Sequence, residues 1–384
     1  MKGQWTSRDR DIVRLREALD RAPAVLVTGA RQVGKTSLIR AEFAPDRSHY
    51  FDLEDPRDRA RLADPMLALE ALGGMVVIDE AQRMPELFPL LRVLIDGDRR
   101  AGRFLLLGSA SPDLVGLSAE SLAGRIAMVE LGPLALAQVG AASLDRLWLR
   151  GGLPPAFHAP SDAAAAAWLD DYIATFLERD LAQLGVRVPA TTMRRFWTML
   201  AHRHSGTWNG ADMARSLGTS EPTARRHLDA LTDALVVRQL PAWFENIGKR
   251  QVRSPKVYVR DTGALHRLLG IGALEDLLSH PIVGASWEGL AVEHVARWGL
   301  PVYFWRTQAG AEIDILVDVG RARWGIEVKR TDSPTVTPSM RHALVDLALD
   351  RIIVVHAGPD RFALAPRIEA VPAREFLLWT GPEA

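Results

Sequence analysis

The segment GARQVGKT, Gly29 to Thr36, sets two glycines, a lysine and a hydroxyl group between two apolar runs. Glycines so placed let the backbone N–H groups of Gly29, Ala30, Arg31, Gln32, Val33 and Gly34 converge on one anion, the arrangement that cradles a β-phosphate. Lys35 would reach the β- and γ-oxygens, and Thr36, followed by Ser37, would offer a hydroxyl to Mg2+ at a helix N-terminus. Such a site needs a carboxylate for the metal. GGMVVIDEAQ supplies it, because the apolar run Met75 to Ile78 ends on Asp79, with Glu80 next. Asp79 would hold the metal and Glu80 would polarise an attacking water, so the adjacent pair points to hydrolysis as well as binding. ATP and Mg2+ are the cofactors implied.

A further apolar run, FLLLG, leads to Ser109 and Ser111, either of which would sense the γ-phosphate or merely close a turn. Arg125 follows Gly124 and precedes a strand-like run. It is either the cation that phosphoryl transfer takes from a neighbouring subunit, which would imply a homo-oligomer, or a surface arginine beside a helix cap. The series GARQVGKT, VVIDEAQ, LLLGSAS, SLAGRIAMVELGPL and RGGLPPAF resembles a widespread bacterial and archaeal family of AAA-type ATPases whose C-terminal half is a domain of unknown function. The resemblance covers nearly the whole chain. It implies an ATPase, sets a finger or sensor role for Arg125 level with the surface reading, and implies no particular substrate. Glu178-Arg179-Asp180 also resembles a short motif of that family, with Arg179 as a second sensor or simply part of a solvated charge cluster.

A second constellation lies near the C-terminus. Glu288 stands early in an amphipathic helix, Asp314 on the second strand of a hairpin, and Glu327 and Lys329 two apart on a third strand, hence on one face. That order is similar to nucleases of the PD-(D/E)xK superfamily. The resemblance implies that the carboxylates Glu288, Asp314 and Glu327 would bind Mg2+ while Lys329 positions or activates a water. Modules of that fold can also lose cleavage and retain packing or nucleic-acid binding.

Between the two constellations, the spacing predicts helix, helix, turn, helix and a two-stranded ribbon over about 191–261, the order of a winged helix-turn-helix. Ser220 and Pro222 suit the start of its third helix. A DNA-binding version would present Thr223, Arg225, Arg226 and His227 from that helix, with Lys249, Arg250, Arg253 and Lys256 of the wing meeting phosphates. A winged helix also serves for packing or oligomerisation, and that alternative stands beside the DNA reading.

The elements that must position these residues follow from pattern. AVLVT before the glycine loop reads as a strand and SLIRAEF after it as a helix. RGGLPPAFHAPSD, Arg150 to Asp162, is rich in glycine and proline and reads as a boundary, and the alanine run after it as helix. The predicted fold class is α/β: a P-loop AAA-type ATPase domain (1–150), a helical linker with winged helix-turn-helix (161–262), and a restriction-endonuclease-like α/β domain (275–384). The 47 basic residues balance 47 acidic ones, so any nucleic-acid contact must be a local patch. With no cysteine, disulfides, cysteine-ligated metals and cysteine nucleophiles are excluded. No apolar run approaches the ~20 residues that span a bilayer, so a cytoplasmic protein without membrane contact is expected. Three functions fit: ATP hydrolysis coupled to DNA, an ATP-gated Mg2+-dependent nuclease, or a non-enzymatic nucleotide-controlled scaffold with a protein partner.

Overall fold

The computed structural model describes residues 6–43, 49–108, 116, 118, 120–183, 188–244 and 252–382. They form two compact units, residues 1–133 with the short segments 183–185 and 233–235, and the remainder of the chain. Among the described residues no helix is long and apolar enough to cross a membrane.

In the first unit five strands make an entirely parallel sheet in the order β2-β3-β4-β1-β5, with β1 Ala24–Thr28, β2 Tyr50–Asp52, β3 Val76–Asp79, β4 Phe104–Leu107 and β5 Ile126–Glu130. A parallel sheet must be covered on both faces, and the strands therefore read as unbroken apolar runs. Alternate residues serve alternate faces. Leu26, Ile78 and Leu106 join Phe88 and Leu91 of helix Leu87–Gly97 in one core. Val25, Val27, Val77 and Leu105 join Ile12 and Leu15 of helix α1 (Asp9–Arg21) and Leu38 and Ile39 of helix α2 (Lys35–Glu42) in the other. All five strands run the same way, so the loops after β1 and β3 share one edge, which is where α/β sheets bind ligands.

The second unit holds a small sheet of order β6-β8-β7 (Gly206–Thr207, Lys256–Val259, Val237–Leu240) and a six-stranded mixed sheet of order β13-β14-β12-β11-β10-β9, in which β13 is Phe362–Ala365 and β14 is Ile368–Pro372. Helices Ala190–His202, Gly210–Leu217 and Glu221–Asp233 accompany the small sheet. In the larger sheet β9 (Val302–Arg306), β10 (Glu312–Val319) and β11 (Ala322–Lys329) are antiparallel, and β11 then pairs in parallel with β12 (Arg351–His356). Helix Val283–Val295 packs its buried side against this sheet through the core that contains Trp287, Ala291, Ile315 and Ile326.

The boundaries differ from those expected. The first unit ends at Pro133, and helix Leu144–Arg150 belongs to the second, where Trp148 packs edge-to-face on Trp287 with ring centroids 4.8 Å apart. The glycine pair after Arg150 is no linker. A Cβ on Gly151, whose φ is +77°, would lie 2.1 Å from Asp261 Oδ1, and Gly152 N donates to Asp261 Oδ2 at 2.8 Å. Small residues serve here to let two backbones approach, which composition cannot distinguish from a flexible joint.

Candidate functional site

The glycine loop closes over the end of β1. Gln32 and Gly34 take positive φ of 63° and 97°, which turns the intervening N–H groups inward, and Gly34 caps the N-terminus of α2. Gly29 is required for space, since a Cβ there would lie 2.5 Å from the Leu131 carbonyl oxygen. Lys35 is buried. Its Nζ donates to the Gly29 and Ala30 carbonyls at 2.8 and 3.1 Å, and burial pulls its ammonium down to about 8.

Parallel pairing brings the end of β3 to the same edge. Thr36 Oγ1 donates to Asp79 Oδ2 at 2.9 Å, and Tyr50 O–H donates to that oxygen at 2.5 Å. The Glu80 N–H donates to Asp79 Oδ1 at 3.0 Å, so the carboxylate is held on both sides. Glu80 has φ 55° and ψ 44°, a left-handed conformation that costs a non-glycine residue free energy and persists only where the surroundings enforce it. The Gln82 amide donates to its carboxylate, and burial pushes the carboxyl up. A hydroxyl and a carboxylate converging beside a buried ammonium form a donor set that fits Mg2+ and nucleotide phosphates.

Lys35, Thr36, Asp79 and Glu80 thus stand together. Tyr50, which holds Asp79, is not legible as a site residue, because its role depends on β2 pairing with β3, whereas Gln82 reaches Glu80 from the adjoining turn. Arg8 is another such residue. It is buried and donates to the Val33 and Gly132 carbonyls at 2.7 and 2.8 Å, bracing the loop from the start of α1. Arg125 is not brought to the group. It precedes β5, whose Ile126 pairs with Ala24 at the opposite end of β1, and it makes a two-pronged ion pair with Asp96 at 2.8 Å. Ser109 and Ser111 lie outside the described residues. Arg179 is exposed on a π-helical turn, Phe176–Asp180, in the second unit.

In the second unit Glu288, Asp314, Glu327 and Lys329 occupy the helix and strands expected and are drawn together. Asp314 precedes and Glu327 follows the paired Ile315 and Ile326, so both lie at one end of the β10–β11 ladder. Lys329 Nζ lies 2.7 Å from Glu327 Oε1, and Asp314 Oδ2 accepts from Val328 N at 2.9 Å. Burial first, then the neighbouring Asp314 charge, raises Glu288 to about 7 and Glu327 to about 8.

The surroundings of this cluster overturn one expectation. Lys256, read as a phosphate contact of the wing, is only 2% exposed and lies among the carboxylates, 2.9 Å from Glu288 and 2.5 Å from Glu312. It is unavailable to a polyanion because strand β8 turns it inward. The arrangement also departs from the metal centre expected of Glu288, Asp314 and Glu327, for among the described residues no group of three or more His, Asp or Glu side chains is placed to hold a metal ion.

Of the other residues proposed to meet DNA, Arg225 and Arg226 are exposed on helix Glu221–Asp233, with Arg225 paired to Asp229 at 3.1 Å. Thr223 is half-buried, and its hydroxyl shares a hydrogen bond with that of Ser220 at 2.9 Å. His227 instead turns into the core, edge-on to Phe196. Arg253 is exposed and stacks over Phe244, 4.3 Å from its ring centre. Lys249 and Arg250 lie outside the described residues.

The parallel sheet, the glycine loop and the Asp79–Glu80 pair define a P-loop ATPase domain of the AAA type. Residues 21–139 match the family model described as an AAA domain, and two families described as domains of unknown function match 141–275 and 283–376. Two relatives, the uncharacterized proteins Rv2008c of Mycobacterium tuberculosis and Mb2031c of Mycobacterium bovis, are 59% identical over 368 residues, 95% of this chain and 83% of each of theirs. The chain belongs to their family, which is built on an AAA-type P-loop ATPase domain. A solved Walker-type ATPase from Pyrococcus abyssi is 17% identical with a TM-score of 0.48, covering 69% of this chain and 96% of that one.

Proposed function

We propose that the chain binds ATP with Mg2+ and hydrolyses it at the edge of the parallel sheet, and that the second unit couples this turnover to DNA. The observation that carries the first part is the meeting of Lys35, Thr36, Asp79 and Glu80, with Tyr50 and Gln82 holding the acids in place. Thr36 and Asp79 would hold Mg2+, which when bound offsets negative charge on the transferring phosphoryl group. The backbone of Gly29 to Gly34 receives the phosphate chain, and Lys35 neutralises its terminal oxygens. Glu80 orients the water that attacks the γ-phosphorus and accepts its proton as ADP leaves. Its raised proton affinity suits a group that must take up a proton near neutrality. Arg125, remote from its own chain's loop, would act on the nucleotide of a neighbouring copy.

The DNA part rests on topology. A three-helix array with sheet order β6-β8-β7 supports the winged-helix reading, and Arg225 and Arg226 are exposed on its third helix. The nuclease alternative is the weaker reading, because Lys256 lies among the carboxylates that a metal would need.

Steady-state ATP hydrolysis tests both parts. Wild type and Glu80→Gln would be assayed without DNA and with single-stranded or duplex DNA. Glu80→Gln is expected to bind ATP and lose about 10²–10⁴-fold in turnover. Full turnover in that variant refutes the role of Glu80, and turnover indifferent to both forms of DNA refutes the coupling.

A further inference from the structure

The first unit carries an open apolar groove of about 520 Å³, bounded by helices Pro56–Arg61 and Pro65–Glu70 on one side and by the start of helix Leu87–Gly97 on the other. Buried Leu62 and Met84 and half-buried Leu90 form its floor, and exposed Ala63 keeps one wall low. Arg59 and Glu86 stand exposed along it, and among the described residues neither is in an ion pair. A trough with an apolar floor and one unpaired charge of each sign fits an amphipathic helix that carries the opposite charges on either side of an apolar anchor.

Such a helix is present in the same unit, and it faces outward. On α1, Ile12, Leu15, Ala18 and Leu19 are buried, while Val13 on the opposite face is 52% exposed. Arg10 stands three residues before Val13 and exposed Glu17 four residues after it, spacings that place all three on one face. Base, apolar anchor and acid therefore follow one another along about 10 Å of helix. Burial and then the neighbouring Arg14 charge pull the Arg10 guanidinium down, so an added carboxylate would relieve it. Because α1 is fixed to its sheet by the buried face, its outward face can meet only another molecule.

We propose that the groove receives the Arg10–Val13–Glu17 face of α1 from a second copy of this chain, with Val13 on the apolar floor, Glu17 against Arg59 and Arg10 against Glu86. The two surfaces differ, so the contact is head-to-tail and repeats from copy to copy until a ring closes. One helix in one groove is at the small end of stable interfaces, so association depends on concentration. The groove also borders the candidate ATP site, since Met84 follows the turn Ala81–Arg83, whose Gln82 donates to Glu80. Assembly would thus bear on the turn that holds Glu80. This inference goes beyond the ATP reading, and its test reads assembly rather than turnover.

Sedimentation velocity of the full chain over a concentration series is expected to show association that Val13→Asp weakens at least about tenfold. Arg59→Glu and Glu17→Arg should each weaken it by up to about fivefold, and the two together in one chain should restore it. A wild type that stays monomeric, an association indifferent to Val13→Asp, or charge reversals that the double variant does not rescue overturns the proposal. The chain has no cysteine, so the contact can also be read by cross-linking. Under mild oxidation a mixture of Val13→Cys and Ala63→Cys chains is expected to form disulfide-linked dimers faster than either variant alone. Equal rates in the mixture and in the separate variants would place the contact elsewhere and overturn the proposal.

Discussion

Replacing Lys256 with methionine keeps the length of the side chain and removes its charge, which isolates the electrostatic part of its role. At pH 8 the change leaves the carboxylates of Glu288 and Asp314, both largely buried, and of half-buried Glu312 without the ammonium now 2.5 to 3.6 Å away. Removing one partner of a buried ion pair costs about 3–5 kcal/mol. For a domain of 150–250 residues each kcal/mol moves Tm by about 2–4 °C, so the second unit should melt about 6–20 °C lower. The deficit depends on pH with a definite sign. Glu288 and Glu327 are raised in the folded state to about 7 and about 8, so the folded protein binds more protons than the unfolded one between their ordinary value of 4.5 and those values. Each carboxyl thus adds stability as pH falls through that window. Neutral carboxyls no longer need Lys256, and the deficit should shrink at pH 5.5. Tryptophan fluorescence reports this unit, because ten of the eleven tryptophans lie in it. A loss of less than about 2 °C at pH 8, or a loss equal at both pH values, would refute the assignment of Lys256 as the cluster's cation.

Three other outcomes are expected. Lys35 is drawn down to about 8 while phosphates favour its charged form, so ATP binding should take up a proton above pH 8 and weaken toward about tenfold per pH unit, and calorimetry showing constant affinity from pH 7 to 10 would count against it. Tyr50→Phe removes the 2.5 Å hydrogen bond to Asp79 and should raise the Mg2+ concentration for half-maximal ATP turnover by about 10–100-fold, whereas an unchanged Mg2+ titration would leave the tyrosine no positioning role. Gly151→Ala forces a Cβ to within 2.1 Å of Asp261 Oδ1 at φ +77° and should destabilise the second unit by at least about 2 kcal/mol, as measured by urea unfolding.

The grouping of Lys35, Thr36, Asp79 and Glu80 was legible because its signal is local. Glycines, lysine and threonine must be contiguous to build one loop, and Asp79 announces itself by ending an apolar run. Tyr50 and Arg8 gave no such signal, since each reaches the site from an element whose neighbours are set by sheet order and helix packing. RGGLP misled for a related reason. Its glycines answer to Asp261, more than 100 residues away, and composition has no access to that pairing.

Lys256 marks the division most sharply. From the chain alone it is a basic residue in a basic hairpin, indistinguishable from Arg253, which is in fact exposed. Which lysine faces solvent and which faces carboxylates depends on the side of β8 that packs inward, and a strand's two faces are assigned only when a partner covers one of them. The sequence by itself determined the glycine loop, the acids that stand beside it and the order of helices and strands, because these are written in short-range spacing. Tertiary structure alone decided that Arg125 stands at the far edge of its sheet, that 134–150 belongs with the second unit, and that Glu288, Asp314 and Glu327 have a lysine in their midst. Those outcomes turn on contacts between residues distant in the chain, where burial and charge balance select one pairing among many that local pattern permits.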